Sequence, residues 1–272
     1  MIIFIFLILG LIIGSFLNVV VYRLRVAETL VADRSHCPHC KNLIAWYDNI
    51  PVISFILLKF KCRDCKEKIS WQYPLVEIFT GLVFALIGQR YFDVVDMSTW
   101  ANTVYYAGIA SFLIVIFVYD FLYLEIPGLV LWPAIGFSIV FNLFFDWARL
   151  EGGVGGQGGI GVLESSVYSG NLGAVVAFLF FFLLVAISKE KWMGMGDAYL
   201  VILLGLILGW PEILLGLMLA FSLGALSGII LILLKKKNMS SQIPFAPFLV
   251  LGSLITLFWY GPIVSWYMSL FI

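Results

Sequence analysis

Charged residues are scarce in this chain of 272 residues. Only 12% are Asp, Glu, Lys or Arg, whereas 62% are hydrophobic, and the mean hydropathy is +1.07. Charged residues make up about twice that share of soluble globular domains. The composition therefore excludes a soluble globular domain and indicates a membrane protein. The formal net charge is zero, which gives no electrostatic basis for binding nucleic acid, and we expect no such partner.

The apolar segments also lack the alternation of apolar and polar residues that marks transmembrane β-strands. They are continuous, which excludes a β-barrel and predicts an all-α polytopic membrane protein. The first segment lacks the basic start and the cleavage site of a signal peptide, so we interpret it as a retained helix. A flexible surface connection is expected at Gly152–Gly161. Eight transmembrane helices are expected, at residues 1–22, 74–92, 103–119, 128–146, 171–188, 197–210, 212–234 and 246–268.

The basic residues set the orientation of these spans. If eight spans alternate, fourteen of the sixteen lysines and arginines fall in the loops after the first, fifth and seventh spans, on one side. Only Arg90 and Arg149 fall near the other side. Because positive loops stay in the cytoplasm, we expect the N-terminus outside and the large loop after the first span inside. The protein is then a multi-pass protein of the cytoplasmic (inner) membrane.

Cysteine is rare and confined to that loop. The four cysteines form two C-x-x-C pairs, Cys37 with Cys40 and Cys62 with Cys65. This spacing favours a four-cysteine zinc site over redox-active dithiols or unliganded thiols. A loop of this size has too small a core to fold alone, so metal binding would stabilise it. Four thiolates leave no open coordination position, and the zinc is therefore expected to be structural.

Histidine is rarer still. The only two, His36 and His39, flank the first cysteine pair and are expected to be neighbours of the metal rather than ligands. Because intramembrane metalloproteases need a histidine pair on a helix, their absence from the spans excludes that class.

Two aspartates are unexpected at the ends of apolar segments. Asp120 ends the run Ala110–Tyr119, and Asp197 closes Gly194-Met195-Gly196-Asp197 before the next run. Charge at bilayer depth is costly, so such carboxylates indicate function. In the orientation deduced from the basic residues, both aspartates lie near the cytoplasmic ends of their spans. Two carboxyl groups sharing one proton can act as acid and base in peptide hydrolysis. The pair predicts an intramembrane aspartyl protease with Asp120 and Asp197 as catalytic residues.

Neighbouring residues would support this pair. Pro127 and Gly128 break the helix after Asp120 and would admit water. The glycines Gly194 and Gly196 carry no side chain, so a substrate backbone could approach closely. The structural alternative is that Asp197 caps the next helix and Asp120 lies at the interface.

Several motifs in order resemble the type IV prepilin peptidase family, a family of GxGD-type intramembrane aspartyl proteases, over nearly the whole chain. They are Gly14–Leu24, Cys37-Pro38-x-Cys40, Trp46–Pro51, Cys62-x-x-Cys65, Tyr73–Glu77, Asp120 with Ile126-Pro127, Gly194-x-Gly196-Asp197 and Ile243–Leu249. The chain departs from the family pattern at Gly128, where aspartate is usual, and at Tyr199, where lysine is usual.

This resemblance implies a bifunctional enzyme. It would cut the basic leader of a prepilin or pseudopilin at the cytoplasmic face and N-methylate the new N-terminus with S-adenosylmethionine. Such substrates serve type IV pili or type II secretion. The implied organisation is a first transmembrane helix at 1–22, a cytoplasmic zinc-binding loop at 23–73 and a transmembrane aspartyl protease core at 74–272. The methyl-donor residues stay unassigned, with the loop the expected region and Glu77 a candidate.

Two other interpretations stay open at this point. A protease of the presenilin or signal-peptide-peptidase type would share the two aspartate motifs, although the cysteine loop and the first-helix motif argue against it. A membrane scaffold or transporter with a zinc ribbon would explain the cysteines but would give neither aspartate a function.

Overall fold

A computed structural model describes residues 1–29, 34–95, 98–150, 165–191, 193–234 and 243–270. The glycine-rich segment Gly152–Gly161 lies outside the described residues. A short 3-10 helix spans Trp46–Asn49. The α-helices are α1 (Ile2–Val26), α2 (Ile53–Leu57), α3 (Gln72–Tyr91), α4 (Ser98–Tyr123), α5 (Gly128–Leu150), α6 (Ser166–Ser188), α7 (Met195–Leu208), α8 (Glu212–Leu233) and α9 (Ala246–Ser269).

Each of the eight expected spans corresponds to one helix, and the all-α membrane fold is confirmed. Six of these helices are long and apolar enough to cross a membrane, namely α1, α4, α5, α6, α8 and α9. The other two helices, α7 and α3, do not meet this criterion, each for a different reason. Helix α7 has only 14 residues, and α3 is polar at both ends. The described residues contain no sheet, only two isolated β-bridges.

The expected end of the third span, at residue 119, is wrong by one helical turn. Helix α4 continues to Tyr123, and Leu124 then adopts a left-handed conformation with φ of 57°. Its N–H donates to the carbonyl of Asp120 at 2.8 Å, which closes the last turn. The break is therefore the short link from Leu124 to Pro127, and Asp120 lies within the helix.

The chain forms two compact units, Met1–Val118 and Tyr119–Ile272. In the first unit, α1 packs closely along α3 because glycines face α3. A Cβ added at Gly14 would lie 2.8 Å from the Cα of Glu77, and one at Gly10 would lie 2.7 Å from the Cβ of Phe84. Small residues permit such close helix packing, and here they bring the middle of α1 against the first half of α3.

The polar loop of the first unit contains two similar knuckles. The bridge His36↔Leu43 encloses the first cysteine pair, and Lys61↔Lys68 encloses the second. Beside these knuckles, the rings of Phe55, Phe60 and Trp71 cluster with centroids 4.9 to 5.4 Å apart. The loop thus has a small aromatic core in addition to its cysteines.

Helix α7 is the centre of the second unit. It packs against α5, α6, α8 and α9, and most of its side chains are buried. At its contact with α6, a Cβ on Gly205 would lie 2.3 Å from the backbone nitrogen of Ala174. The sequence of α7 is apolar on all sides because neighbours surround it.

Candidate active site

Asp120 is buried in the last turn of α4, with 6% of its surface exposed. Its Oδ2 atom has no hydrogen-bond partner among the described residues. The backbone N–H of Ala246, at the start of α9, donates to this carboxyl group. A residue at a water interface would be solvated on most sides, so its burial argues against a merely interfacial role for Asp120.

Asp197 lies in the first turn of α7, where Gly194 is the N-cap residue. The Asp197 carboxyl group accepts a hydrogen bond from the backbone N–H of Gly194. This contact is the acidic half of a capping box, in which the third helical residue bonds back to the N-cap. Asp197 therefore supports the helix start, but it is not itself the N-cap that the structural alternative proposed.

The two carboxyl groups are close enough for a direct electrostatic interaction. The start of α7 also presents the positive end of its helix dipole to Asp197, which favours a negative charge there. The site therefore contains two carboxyl groups that interact electrostatically, one of which has an oxygen without a hydrogen-bond partner among the described residues.

The glycines beside Asp197 leave space around the pair. A Cβ on Gly196 would lie 3.4 Å from the Cδ1 atom of Ile126, and one on Gly194 would meet nothing closer than 4.0 Å. Neither glycine has a positive φ, so the turn before α7 does not require glycine for its conformation. The structure brings Asp120, Ile126, Gly194–Asp197 and Ala246 together, although they come from three separate motifs.

The two departures from the family pattern lie on α5 and α7. Gly128 is the first residue of α5, and a Cβ there would contact only the ring of Trp132. Tyr199 packs its ring between Trp132, at 5.6 Å, and Phe178, at 6.4 Å. The position usually taken by lysine is therefore part of an aromatic contact between helices.

The four cysteines form a second site in the other unit. Their sulfur atoms all lie within 4.8 Å of one another, and the Sγ atoms of Cys37 and Cys65 are 3.9 Å apart. A tetrahedral zinc site with Zn–S bonds of about 2.3 Å would separate its sulfurs by about 3.8 Å. Cys37, Cys40, Cys62 and Cys65 therefore fit a four-coordinate metal, while His36 and His39 are outside the cluster.

The environment of Cys37 favours a thiolate. Burial opposes its ionisation, but hydrogen bonds from the backbone N–H groups of Cys40 and His39 lower the pKa of the Cys37 thiol to about 7. The thiolate is the form that binds metal, so the first knuckle is suited to metal binding.

Asn18 and Glu77 are polar side chains that the sequence interpretation did not combine. Asn18 is 1% and Glu77 is 7% exposed, and both lie where α1 packs on α3. The sequence signal that could have identified each of them is a polar residue within an apolar segment. Only the close α1–α3 packing shows that the two side chains share one environment.

Comparison with known proteins identifies the family of this chain. The model of the bacterial peptidase A24 N-terminal domain matches residues 8–91, and that of the type IV leader peptidase family matches residues 107–229. A prepilin leader peptidase/N-methyltransferase of Aeromonas hydrophila is 30% identical over 97% of this chain and 92% of its own length. The protein of that name from Bacillus subtilis is 31% identical over 97% and 96%. No solved structure matches the chain significantly.

The chain belongs to the type IV leader peptidase family, a family of membrane peptidases. The family resemblance of its motifs is thereby confirmed, and the chain is an enzyme of this class.

Proposed function

We propose that this protein cleaves the leader peptide of type IV prepilins or pseudopilins and methylates the N-terminus that cleavage exposes. The relatives' names, prepilin leader peptidase/N-methyltransferase, support both activities. The observation that carries the proposal is the pairing of two carboxyl groups, Asp120 and Asp197, within one compact unit.

The two aspartates would act as acid and base on the scissile peptide bond. The charged carboxylate accepts a proton from water as the water oxygen bonds to the carbonyl carbon. The protonated carboxyl group donates to the carbonyl oxygen. When the carbon–nitrogen bond breaks, the carboxyl group that took the proton from water donates it to the departing nitrogen, which leaves as an amine. The other carboxylate recovers its proton from the former carbonyl oxygen as the C=O bond forms again. The free Oδ2 of Asp120 is available for one of these hydrogen bonds.

The space beside Gly194 and Gly196 would receive the substrate backbone. Among the described residues, no atom lies closer than 4.0 Å to the position of a Cβ on Gly194, and the side chain of Ile126 borders Gly196. A substrate helix would approach laterally through lipid and present its cytoplasmic end to the aspartates. This arrangement needs the aspartates at the cytoplasmic face of the inner membrane, as the distribution of lysine and arginine indicates.

We assign the regions of the chain as the sequence analysis predicted. Residues 1–22 would form the first transmembrane helix, 23–73 the cytoplasmic loop, and 74–272 the protease core. Cys37, Cys40, Cys62 and Cys65 would hold a structural Zn²⁺ that orders the loop. S-adenosylmethionine would supply the methyl group.

Mass spectrometry of a pilin N-terminus tests the proposal directly. We would co-express the protein with a prepilin in cells that lack their own prepilin peptidase. The expected product lacks its leader and carries one methyl group on the new N-terminal amine. An uncut prepilin alongside folded, membrane-inserted enzyme would overturn the peptidase assignment, and a cut but unmethylated product would overturn the methyltransferase assignment.

A further inference from the structure

The short helix α2 presents an apolar face to the outside of the molecule. Ile53, Ile56 and Leu57 are between 56% and 75% exposed, and residues three and four apart lie on the same side of a helix. Phe55, on the opposite side, is buried, and its ring contacts that of Trp71 with centroids 5.1 Å apart. This aromatic contact fixes the orientation of α2 and keeps its apolar face outward.

A lysine follows this face where the chain leaves α2. Lys59 is exposed and adopts a left-handed conformation with φ of 53°. Its N–H donates to the carbonyl of Ile56, and the N–H of Phe60 donates to that of Phe55, each at 3.0 Å. These two bonds form a Schellman motif, in which glycine usually takes the left-handed position because a side chain is strained there. A lysine at this position indicates a use for its charge.

The second cysteine knuckle has the same feature. Lys66 is exposed and left-handed, with φ of 61°, and its N–H donates to the carbonyl of Cys62 at 3.2 Å. A shallow cleft of about 350 Å³ separates this knuckle from the end of α2. Its lining includes Leu57 and Leu58 on the apolar side and Lys59, Lys61 and Lys66 on the basic side.

The other two residues that line the cleft, Cys62 and Arg63, have partners of their own. The sulfur of Cys62 belongs to the four-sulfur cluster. Arg63 donates to both carboxylate oxygens of Asp48, at 2.6 and 2.7 Å. The three lysines, in contrast, form no ion pair with a carboxylate in the described part of the loop, although Lys66 donates to the carbonyl of Arg63 at 2.6 Å. Because residues 53–68 contain five basic and two acidic residues, the cleft has a positive charge.

This basic and apolar surface is held beside a helix that can cross a membrane. Helix α1 is long and apolar enough to do so. A Cβ on Gly14 would meet Glu77, and one on Gly10 would meet Phe84. The two helices are therefore antiparallel, and the loop leaves α1 and enters α3 at the same end of the pair. Since Trp71, which contacts α2, directly precedes α3, α2 lies near the level at which α1 leaves the membrane.

We infer that this surface binds the anionic phospholipid headgroups of the membrane. We call it the basic apolar patch, and it consists of Ile53, Ile56, Leu57, Lys59, Lys61 and Lys66. Its apolar side chains would enter the boundary between headgroups and acyl chains, while its lysines would contact the lipid phosphates. An acidic protein surface would match the charge equally well, but the attachment of the loop at both ends keeps the patch beside lipid. The contact would hold the cysteine loop against the membrane surface, and it depends on neither cleavage nor methylation.

Site-specific photo-crosslinking of the full-length protein in lipid nanodiscs tests this contact. One variant is Ile56→p-benzoylphenylalanine, and its matched control is Leu43→p-benzoylphenylalanine on the first knuckle. These two side chains are 60% and 59% exposed, so the probes differ in location rather than in exposure. The nanodiscs contain phosphatidylcholine alone or mixed with phosphatidylglycerol, and mass spectrometry measures the lipid adducts.

We expect more lipid adducts at position 56 than at position 43. One lysine near an anionic surface changes a binding equilibrium by roughly fivefold, so phosphatidylglycerol should increase the adducts at position 56 by at least that factor. Added salt should reverse the increase because it screens exposed charges.

Glycine variants separate the charge of the patch from its fold. Lys59→Gly/Lys66→Gly removes two charges at positions where glycine is less strained, so the protein should unfold at no lower temperature. We expect its lipid adducts at position 56 to decrease at least about fivefold in phosphatidylglycerol. Lys41→Gly is the matched control, because Lys41 is also left-handed, with φ of 61°, but lies outside the patch. Its adducts should equal those of the parent protein.

Several results would overturn the patch. These are an absence of lipid adducts at position 56, equal yields at positions 56 and 43, and equal yields with and without phosphatidylglycerol. Adducts between position 56 and a second copy, or another part of the chain, would assign the patch to a protein interface instead. Because neither prepilin nor methyl donor is present in the experiment, each of these failures is distinct from a failure of the proposed function.

Discussion

The oxygen Oδ2 of Asp120 is a buried acceptor without a hydrogen-bond partner among the described residues. Leaving such a group unpaired costs about 1 to 3 kcal/mol of stability, more if it is charged. The proposed role of Asp120 in peptide hydrolysis would account for this cost.

Removing either carboxylate should stop cleavage. We expect Asp120→Asn and Asp197→Asn each to reduce leader cleavage at least about 100-fold, because an amide can neither accept nor share the proton. Cleavage of a purified prepilin in detergent, without wild-type enzyme present, measures the effect. Glu212→Gln is the control and should retain full activity. More than a tenth of wild-type activity in either Asp variant would contradict the pair.

A side chain at Gly196 should obstruct the substrate without unfolding the helix. A Cβ there would lie 3.4 to 3.6 Å from atoms of the Ile126 side chain, which is ordinary van der Waals contact, so Gly196→Val can be accommodated. We expect its cleavage rate to fall at least about tenfold, since a close backbone approach needs a small residue. Gly228→Val, where a Cβ has comparably open surroundings, is the control. Equal rates for the two variants would show that Gly196 does not border the substrate path.

At the scale of elements, the α6–α7 contact depends on one glycine. The 2.3 Å between a Cβ on Gly205 and the backbone nitrogen of Ala174 cannot be accommodated by a side-chain movement. The helices would have to separate, and Asp197 is on one of them.

Gly205→Val should therefore destabilise the protein. Overpacking of this kind costs about 1 to 3 kcal/mol or more, and we expect a lower unfolding temperature in detergent. Gly136→Val has the same chemistry in a helix where a Cβ meets nothing within 4 Å. If both variants unfold at the same temperature, the close α6–α7 packing does not contribute to stability.

Apolar runs in the sequence were enough to locate the helices. They predicted all eight of them, because a helix that is buried in lipid or in protein is apolar whichever neighbour surrounds it. The end of α4 was misplaced because Asp120 looks like a boundary in the sequence, although it is buried by the fold. The Asn18–Glu77 environment could not be predicted, since it depends on the contact between Gly14 and α3. The cysteine spacing, in contrast, predicted the four-sulfur cluster directly.

At the scale of the whole molecule, the cysteines and the aspartates belong to different compact units. We therefore expect folding of the second unit not to need the metal site. The loop has a small aromatic core of its own, and we expect its order to depend more on metal binding.

Loss of the metal should affect one unit selectively. We expect one zinc per chain by elemental analysis and a loss of zinc in the Cys37→Ser/Cys62→Ser variant. Hydrogen exchange should then increase across residues 34–70 but not in α6–α9. A Ser54→Ala variant serves as the loop control. Full zinc occupancy in the double variant would rule out this ligand set, and faster exchange throughout α6–α9 would contradict the independence of the second unit.

The shortness of α7 has a consequence for the path of water. Its 14 residues extend about 21 Å at 1.5 Å per residue, whereas the hydrocarbon layer is about 30 Å thick. Because α5, α6, α8 and α9 pack around α7, the remaining length of roughly 9 Å is bordered by protein rather than by lipid. Asp197 lies in the first turn of this helix. We therefore expect a recess between the neighbouring helices at this end of α7, through which the water for hydrolysis reaches the carboxyl group.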